Sequence, residues 1–265
     1  MEMIGRVSRG SKMDQVYIPK NRAGLAIGNY VSIKPIDINI SIEYAQSRKP
    51  VFYKLSNLEK IKVMIIGELL TLILANTKNV NNIIITGSFL NKGFSFNDLD
   101  ILIIMEEKEG QDRLKKLIES SIGINTHIIL LSNKELLEGI SHDPVFEMML
   151  SRYVSLNKII YKKKRIINYQ FLDLSLLKSK PLIDNFELLN GKEKYYLTKN
   201  MVSILFFITK KDLSDKIIDK EIEKLFGIKI ERLKDNLIEK NKFVKLYQEI
   251  YNKTQNLLFT KNGSK

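Results

Sequence analysis

Hydrophobic and polar positions change rhythm along this chain. Leu58, Ile61, Ile65, Leu69 and Leu72 recur at helical spacing, and Ser56 has Glu59 three residues on, the form of a capping box. That spacing predicts a long amphipathic helix ending near Asn76. Beyond it the apolar residues become continuous over short runs. "NIIIT", "LDILIIM" and "GINTHIILL" read as three strands, with helix composition in "EEKEGQDRLKKLIESSI" between the second and third. Ser132 with Glu135 repeats the capping-box form and opens a short helix, "NKELLEGI". Asp143-Pro144 supplies an N-cap followed by Pro at the first helical position, opening "VFEMMLSRYVSL". Residues 51–164 therefore predict a small α/β domain.

On either side the pattern differs. In residues 1–36, "VYI" and "YVSIKPI" have strand composition and Gly24 and Gly28 mark turns, predicting a small β module; residues 37–56 read as a connector. From about residue 165 the chain reads as mostly helical. Ser214 caps "DKIIDKEIEKLF" and Gly227 ends it. The aromatic residues of "YYLTKNMVSILFFITKK" read as the core of a helical bundle rather than a base-stacking platform. The expected fold class is α+β in three parts: a β module with its connector over 1–50, the α/β domain over 51–164, and a helical domain over 165–265.

Composition narrows the chemistry. At 44% hydrophobic and 28% charged, the 265 residues suit a globular protein rather than a disordered one. The absence of cysteine excludes disulfides and thiolate metal sites, and two histidines, His127 and His142, leave little for a zinc site. The start "MEMIGRVSRG" lacks the apolar core of a signal peptide. "VMIIGELLTLILA" is interrupted by Glu68 and too short to span a bilayer, so the expectation is a cytoplasmic protein with no membrane partner. The net charge of +13 is uneven: +4 over residues 1–50, −2 over 51–157 and +11 over 158–265. Basic flanks suit a polyanion such as nucleic acid, or serve as solubilising lysine. The run "YKKKR", 161–165, reads as a solvated strand-to-helix connection, or as a stretch that steers a nucleic acid.

The residues that need explaining are Asp98 and Asp100, inside a run otherwise suited to a buried strand. Residues two apart on a strand share a face, so these carboxylates project side by side while Leu99 and Ile101 point into the core. Their mutual repulsion is relieved by a divalent cation, and Mg²⁺ takes one or two carboxylates plus substrate phosphates. Gly87-Ser88 directly follows the strand "NIIIT", where glycine permits close backbone approach and Ser88 offers a hydroxyl and an N–H to phosphate oxygens. The loop 89–97, with Lys92 and Gly93, returns the chain to the aspartates. A plainer reading makes the aspartates turn residues at a strand entrance.

Together, "TGSFLNKGFSFNDLDILI" resembles the signature of the DNA polymerase β-type nucleotidyltransferases: Gly-Ser, about ten residues, then Asp-apolar-Asp-apolar. The resemblance covers roughly residues 56–160. It implies that Asp98 and Asp100 bind the catalytic Mg²⁺ or Mn²⁺ ions and that Gly87 and Ser88, with Lys92 beside them, hold the triphosphate of an NTP. An acceptor hydroxyl then attacks the α-phosphate and pyrophosphate leaves. The family's third carboxylate, on a later strand, is missing. The matching strand "GINTHIILL" offers Asn125 and His127 instead. An imidazole there serves as a ligand better suited to Mn²⁺ than Mg²⁺, as the base for the acceptor, or as a surface histidine bonded to backbone.

The N-terminal stretch "RGSKMDQVYIPKNRAGLAIGNYVSIKPI" resembles an AbrB-type swapped-hairpin module. Ile18, Pro19, Lys20, Arg22, Leu25, Gly28, Asn29 and Val31 carry the match. The resemblance implies an interlaced homodimer whose basic face, Arg6, Arg9, Lys12, Lys20 and Arg22, contacts DNA; the alternative is a hairpin packed on the α/β domain. Two functions are thus expected from different classes. One is a metal-dependent nucleotidyltransferase with an unidentified acceptor. The other is a non-catalytic DNA-binding regulator, of the antitoxin kind, retaining a degenerate nucleotidyltransferase domain.

Overall fold

The computed structural model describes residues 7–8, 15–16, 49–55, 57–94, 96–160 and 165–262. At the N-terminus, β1 (Val7–Ser8) pairs antiparallel with β2 (Gln15–Val16), Val7 opposite Val16. The remainder of the expected β module, including "YVSIKPI" and the residues that carry the swapped-hairpin resemblance, lies outside the described residues, as does Ser56. The chain divides into two compact units. One is built from the described residues up to Asn133 together with Tyr153–Ile159; the other comprises Lys134–Arg152 and the described residues from 160 onward. The fold is α+β.

The first unit is organised on one five-stranded mixed sheet of β3 (Val51–Tyr53), β4 (Asn82–Thr86), β5 (Leu99–Ile104), β6 (Thr126–Leu131) and β7 (Tyr153–Ser155), in the order β3-β7-β4-β5-β6. Every pairing is antiparallel except β5 with β6. A parallel neighbour needs a crossover, which α2 (Gln111–Ile122) supplies. The three strands read from sequence are central or adjacent. Ile83, Ile84 and Ile85 of β4 and Ile101 to Ile104 of β5 have no exposed surface, which explains runs without polar alternation. β6, at the sheet edge, does alternate, with His127 exposed between buried Thr126 and Ile128.

Helix α1 (Lys60–Asn76) packs Ile65, Ile66, Leu69, Leu70 and Ile73 into the same cluster as Ile83, Ile85, Ile101 and Ile103. Leu114, Ile118 and Ile122 of α2 join it. Each such side chain fully removed from water contributes roughly 1.5–3 kcal/mol. Leu58, Ile61 and Leu72 pack at the margin of this cluster.

Two strands differ from the sequence expectation. "VFEMMLSRYVSL" does not continue as one helix: α4 (Pro144–Met149) starts on the expected Asp143 cap, whose side chain accepts from the Val145 N–H at 2.8 Å, but stops after one and a half turns. "YVS" then becomes β7, with Val154 opposite both Phe52 and Ile85. The connector's "VFY" is its edge partner β3. Each strand is three residues long, too short to show period-two alternation, and β7 is buried throughout.

The second unit, taken by itself, is helical. Within it are α3 (Asn133–His142, whose first residue belongs to the other unit), α4, α5 (Tyr169–Leu177), α6 (Pro181–Asp184), α7 (Gly191–Ile208), α8 (Asp215–Phe226), α9 (Ile230–Lys234) and α10 (Lys240–Asn262). As expected, α7 is the inner helix: Tyr195, Met201, Val202, Ile204, Phe206 and Phe207 are core. Gly227 ends α8 in the left-handed conformation at φ +64°, where glycine carries no Cβ penalty. Arg165 is not solvated as expected of the basic run. It is buried in a two-pronged ion pair with Glu147, both bonds 2.5 Å long, against the Phe207 ring. Lys162, Lys163 and Lys164 lie outside the described residues. Among the described residues no helix is long and apolar enough to cross a membrane.

Candidate functional site

The antiparallel β4–β5 ladder sets Thr86 opposite Asp100, and the parallel β5–β6 ladder sets Asp100 opposite His127. Directly opposed residues in a sheet share a face, so these three side chains form one cross-strand row where β4 ends and β5 and β6 begin. Of the two residues weighed for the third acid's place, the register puts His127 beside Asp100, its Nδ1 3.5 Å from Asp100 Oδ1. Asn125 instead offers its carbonyl to the Leu99 N–H at 2.9 Å. Leu99 is fully buried, whereas Asp98 and Asp100 on either side of it are half-buried, as the alternation requires.

Gly87 follows β4 at φ +80°, ψ −160°, a region open essentially to glycine alone. A Cβ there would lie 2.0 Å from Asp100 Oδ2, so the backbone of Gly87 rests directly against that carboxylate. Ser88 opens the 3₁₀ turn Ser88–Leu90, closed by the Leu90 N–H to the Gly87 carbonyl at 3.3 Å and the Asn91 N–H to the Ser88 carbonyl at 2.9 Å. Gly87, Ser88, Asp100 and His127 are thus brought to one end of the sheet, with Asp98 entering it. Lys92 is exposed on the loop beyond.

Electrostatics mark Asp100. Burial first, and the neighbouring charge of Asp98 second, push its carboxyl above the usual carboxylate range; His127 works weakly the other way. A side chain 26% exposed, beside a second acid, gains most from a cation. Two carboxylates supply hard oxygen ligands of the kind Mg²⁺ and Mn²⁺ take, so the donor set fits such an ion. Among the described residues no group of three or more His, Asp or Glu is arranged to hold a metal. A cation at Asp98 and Asp100 would take its remaining ligands from substrate oxygens and water.

Sequence reasoning missed what holds the loop. Lys62, on α1, has no exposed surface. Its ammonium donates to the carbonyls of Asn91 and Gly93 at 2.5 Å each and lies 5.4–5.5 Å from the ring centres of Phe89, Phe94 and Phe96. Glu59, in the N-cap position of α1, accepts the Gly93 N–H at 2.5 Å and faces Lys62 at 3.2 Å; that N–H, more than the lysine, holds its carboxyl below the usual range. The signal was in the sequence: Lys62 precedes Ile65 and Ile66 by a helical turn, on the apolar face of α1, and the loop carries three phenylalanines.

Arg6, Arg9, Lys12, Lys20 and Arg22, the residues expected to contact DNA, lie outside the described residues. Compared with known proteins, the sequence matches no family model and no curated protein.

Proposed function

We propose that this chain is a metal-dependent nucleotidyltransferase, transferring a nucleotidyl group from a nucleoside triphosphate to an acceptor. The supporting observation is the contact of Gly87 with Asp100: a backbone position only glycine can occupy, pressed against one of two adjacent carboxylates. A glycine turn after one strand and an acid pair entering the next is the arrangement that the resemblance to the polymerase β-type nucleotidyltransferases implies. In this reading Asp98 and Asp100 hold the cation, and Gly87 and Ser88 take the triphosphate oxygens, with Lys92 available from the loop. The bound cation supplies Lewis-acid stabilisation of charge on the phosphate oxygens. The acceptor hydroxyl attacks the α-phosphorus, the bond to the bridging oxygen breaks, and pyrophosphate leaves. In this reading His127, 64% exposed and beside Asp100, accepts the proton that the hydroxyl releases.

The decisive experiment incubates the purified protein with each α-labelled NTP, Mg²⁺ or Mn²⁺, and fractionated RNA, protein and small molecules. Label should enter one fraction, and Asp98→Asn should abolish it. Labelling equal in wild type and variant would refute the reading.

One observation favours the second reading. The row beside Asp100 carries an imidazole, not an acid, so the site has two formal negative charges where three would bind Mg²⁺ more firmly. A DNA-binding regulator with a degenerate nucleotidyltransferase domain, dimeric through an N-terminal swapped-hairpin module, accounts for that and for the basic flanks. It requires sequence-selective DNA affinity that falls steeply with salt, and no label transfer.

A further inference from the structure

The clasp at Lys62 does more than fill a core. Its ammonium donates to two backbone carbonyls two residues apart and stands 3.2 Å from Glu59 Oε2. Glu59 in turn takes the amide of Gly93, whose carbonyl Lys62 already holds, so α1 grips both backbone groups of one glycine. Phe89, Phe94 and Phe96 wrap the charge, and Phe89 and Phe96 pack edge to face at 5.0 Å. A structural role alone would be met by an apolar residue, which the surrounding stripe of Ile65, Ile66 and Leu69 shows the fold can supply at neighbouring positions. A cation buried among rings is costly unless something specific is held. Here the thing held is the loop that joins the Gly87-Ser88 turn to Asp98.

We propose that Lys62, with Glu59 and the three phenylalanines, is a positioning residue for the nucleotide site: it fixes the path of the loop so that Gly87 and Ser88, before it, and Asp98, after it, stand in register. The proposal rests on the nucleotidyltransferase reading. Lys62 touches neither substrate nor metal; it acts through Asn91 and Gly93. Because Asn91 and Gly93 are held by their backbone carbonyls, the tie depends on the lysine's donors and not on the side chains of those two residues.

Lys62→Met tests this, since a thioether packs well among aromatic rings and removes only the donors and the charge. Hydrogen exchange at the Asn91 and Gly93 amides should quicken about tenfold or more, while amides of β4 and β5 exchange at the wild-type rate. The KM for Mg²⁺-ATP, or for whichever triphosphate is used, should rise about tenfold with kcat far less changed, as loss of a supporting partner commonly does. If Lys62→Met does not fold, Glu59→Gln combined with Lys62→Met removes the stranded carboxylate and is read by the same two measurements. Wild-type exchange at Asn91 and Gly93, or faster exchange with an unaltered KM, overturns the proposal. Absence of transfer and of triphosphate binding in the unsubstituted protein overturns the nucleotidyltransferase reading, and this role with it; that failure is distinguishable because it needs no variant.

Discussion

Replacing Gly87 by alanine should damage the protein for two separable reasons. At φ +80°, ψ −160° the backbone is strained for any residue with a Cβ, costing roughly 1–3 kcal/mol. The new methyl would also stand 2.0 Å from Asp100 Oδ2, far inside contact distance, so the carboxylate or the turn must move, adding about 1–3 kcal/mol of overpacking. Asp100→Ala removes the obstructing oxygen but leaves the backbone strain. Gly87→Ala should therefore cost ~2–6 kcal/mol in the wild-type background and only ~1–3 kcal/mol in the Asp100→Ala background. Thermal melts of the four proteins read the difference as roughly 2–12 °C of extra Tm loss. Transfer activity gives a second readout, because displacing a reacting group by about 1 Å costs on the order of a hundredfold. Equal Tm losses in both backgrounds would refute the contact, and an alanine variant with wild-type Tm would refute the turn conformation as well.

Three further outcomes are expected. Asp100→Asn should raise the Tm at pH 7: burial and Asp98 lift the folded carboxyl above its unfolded value, so the group destabilises the fold at neutral pH, and the gain should fade below about pH 4, where both states are protonated. A gain that persists in acid would point to another cause. Arg165→Met or Glu147→Gln should each cost about 3–5 kcal/mol in urea unfolding by removing one partner of a largely buried ion pair, and replacing both should cost less than either; additive losses would show that the pair is not coupled. If His127 is a metal ligand, His127→Asp should strengthen Mg²⁺-supported activity and His127→Ala should depress activity most with Mn²⁺, whereas wild-type behaviour of His127→Ala with both metals makes the residue structural.

What was legible in the sequence depended on length and on sign. β4, β5 and β6 announced themselves because three or four consecutive branched apolar residues between turn signals have few other uses, and α8 did so through Ser214, which takes the N-cap position without a side-chain capping bond, and Gly227 at the other end. β3 and β7 did not. A three-residue strand has too few positions to display a period, and "RYVSL" after a well-capped helix start reads naturally as more helix. Glu59 misled in a different way. Its spacing from Ser56 suggested a capping box, but its carboxylate reaches the Gly93 amide across the loop, an interaction 34 residues away in sequence. Lys62 was passed over for a related reason: its place on the apolar face of α1 could be read, but pattern reading assigns lysine to solvent, and only the carbonyls of Asn91 and Gly93 and the rings of Phe89, Phe94 and Phe96 make its burial tolerable.

The meeting of Asp100 and His127 rests on strand direction more than on either residue. β4 runs antiparallel to β5, so its last residue, Thr86, stands beside the start of β5; β6 runs parallel to β5, so its start stands there too. Had β6 returned antiparallel, His127 would lie near the far end of a six-residue strand, on the order of 15–20 Å from Asp100. A shift of one residue in the parallel register would set Thr126 or Ile128 opposite Asp100 and turn the imidazole to the other face. The crossover through α2 is therefore part of the site. It makes β5 the one strand of this sheet with an antiparallel neighbour on one side and a parallel neighbour on the other, and so gathers a glycine turn, an acid pair and a histidine at the same end of the sheet.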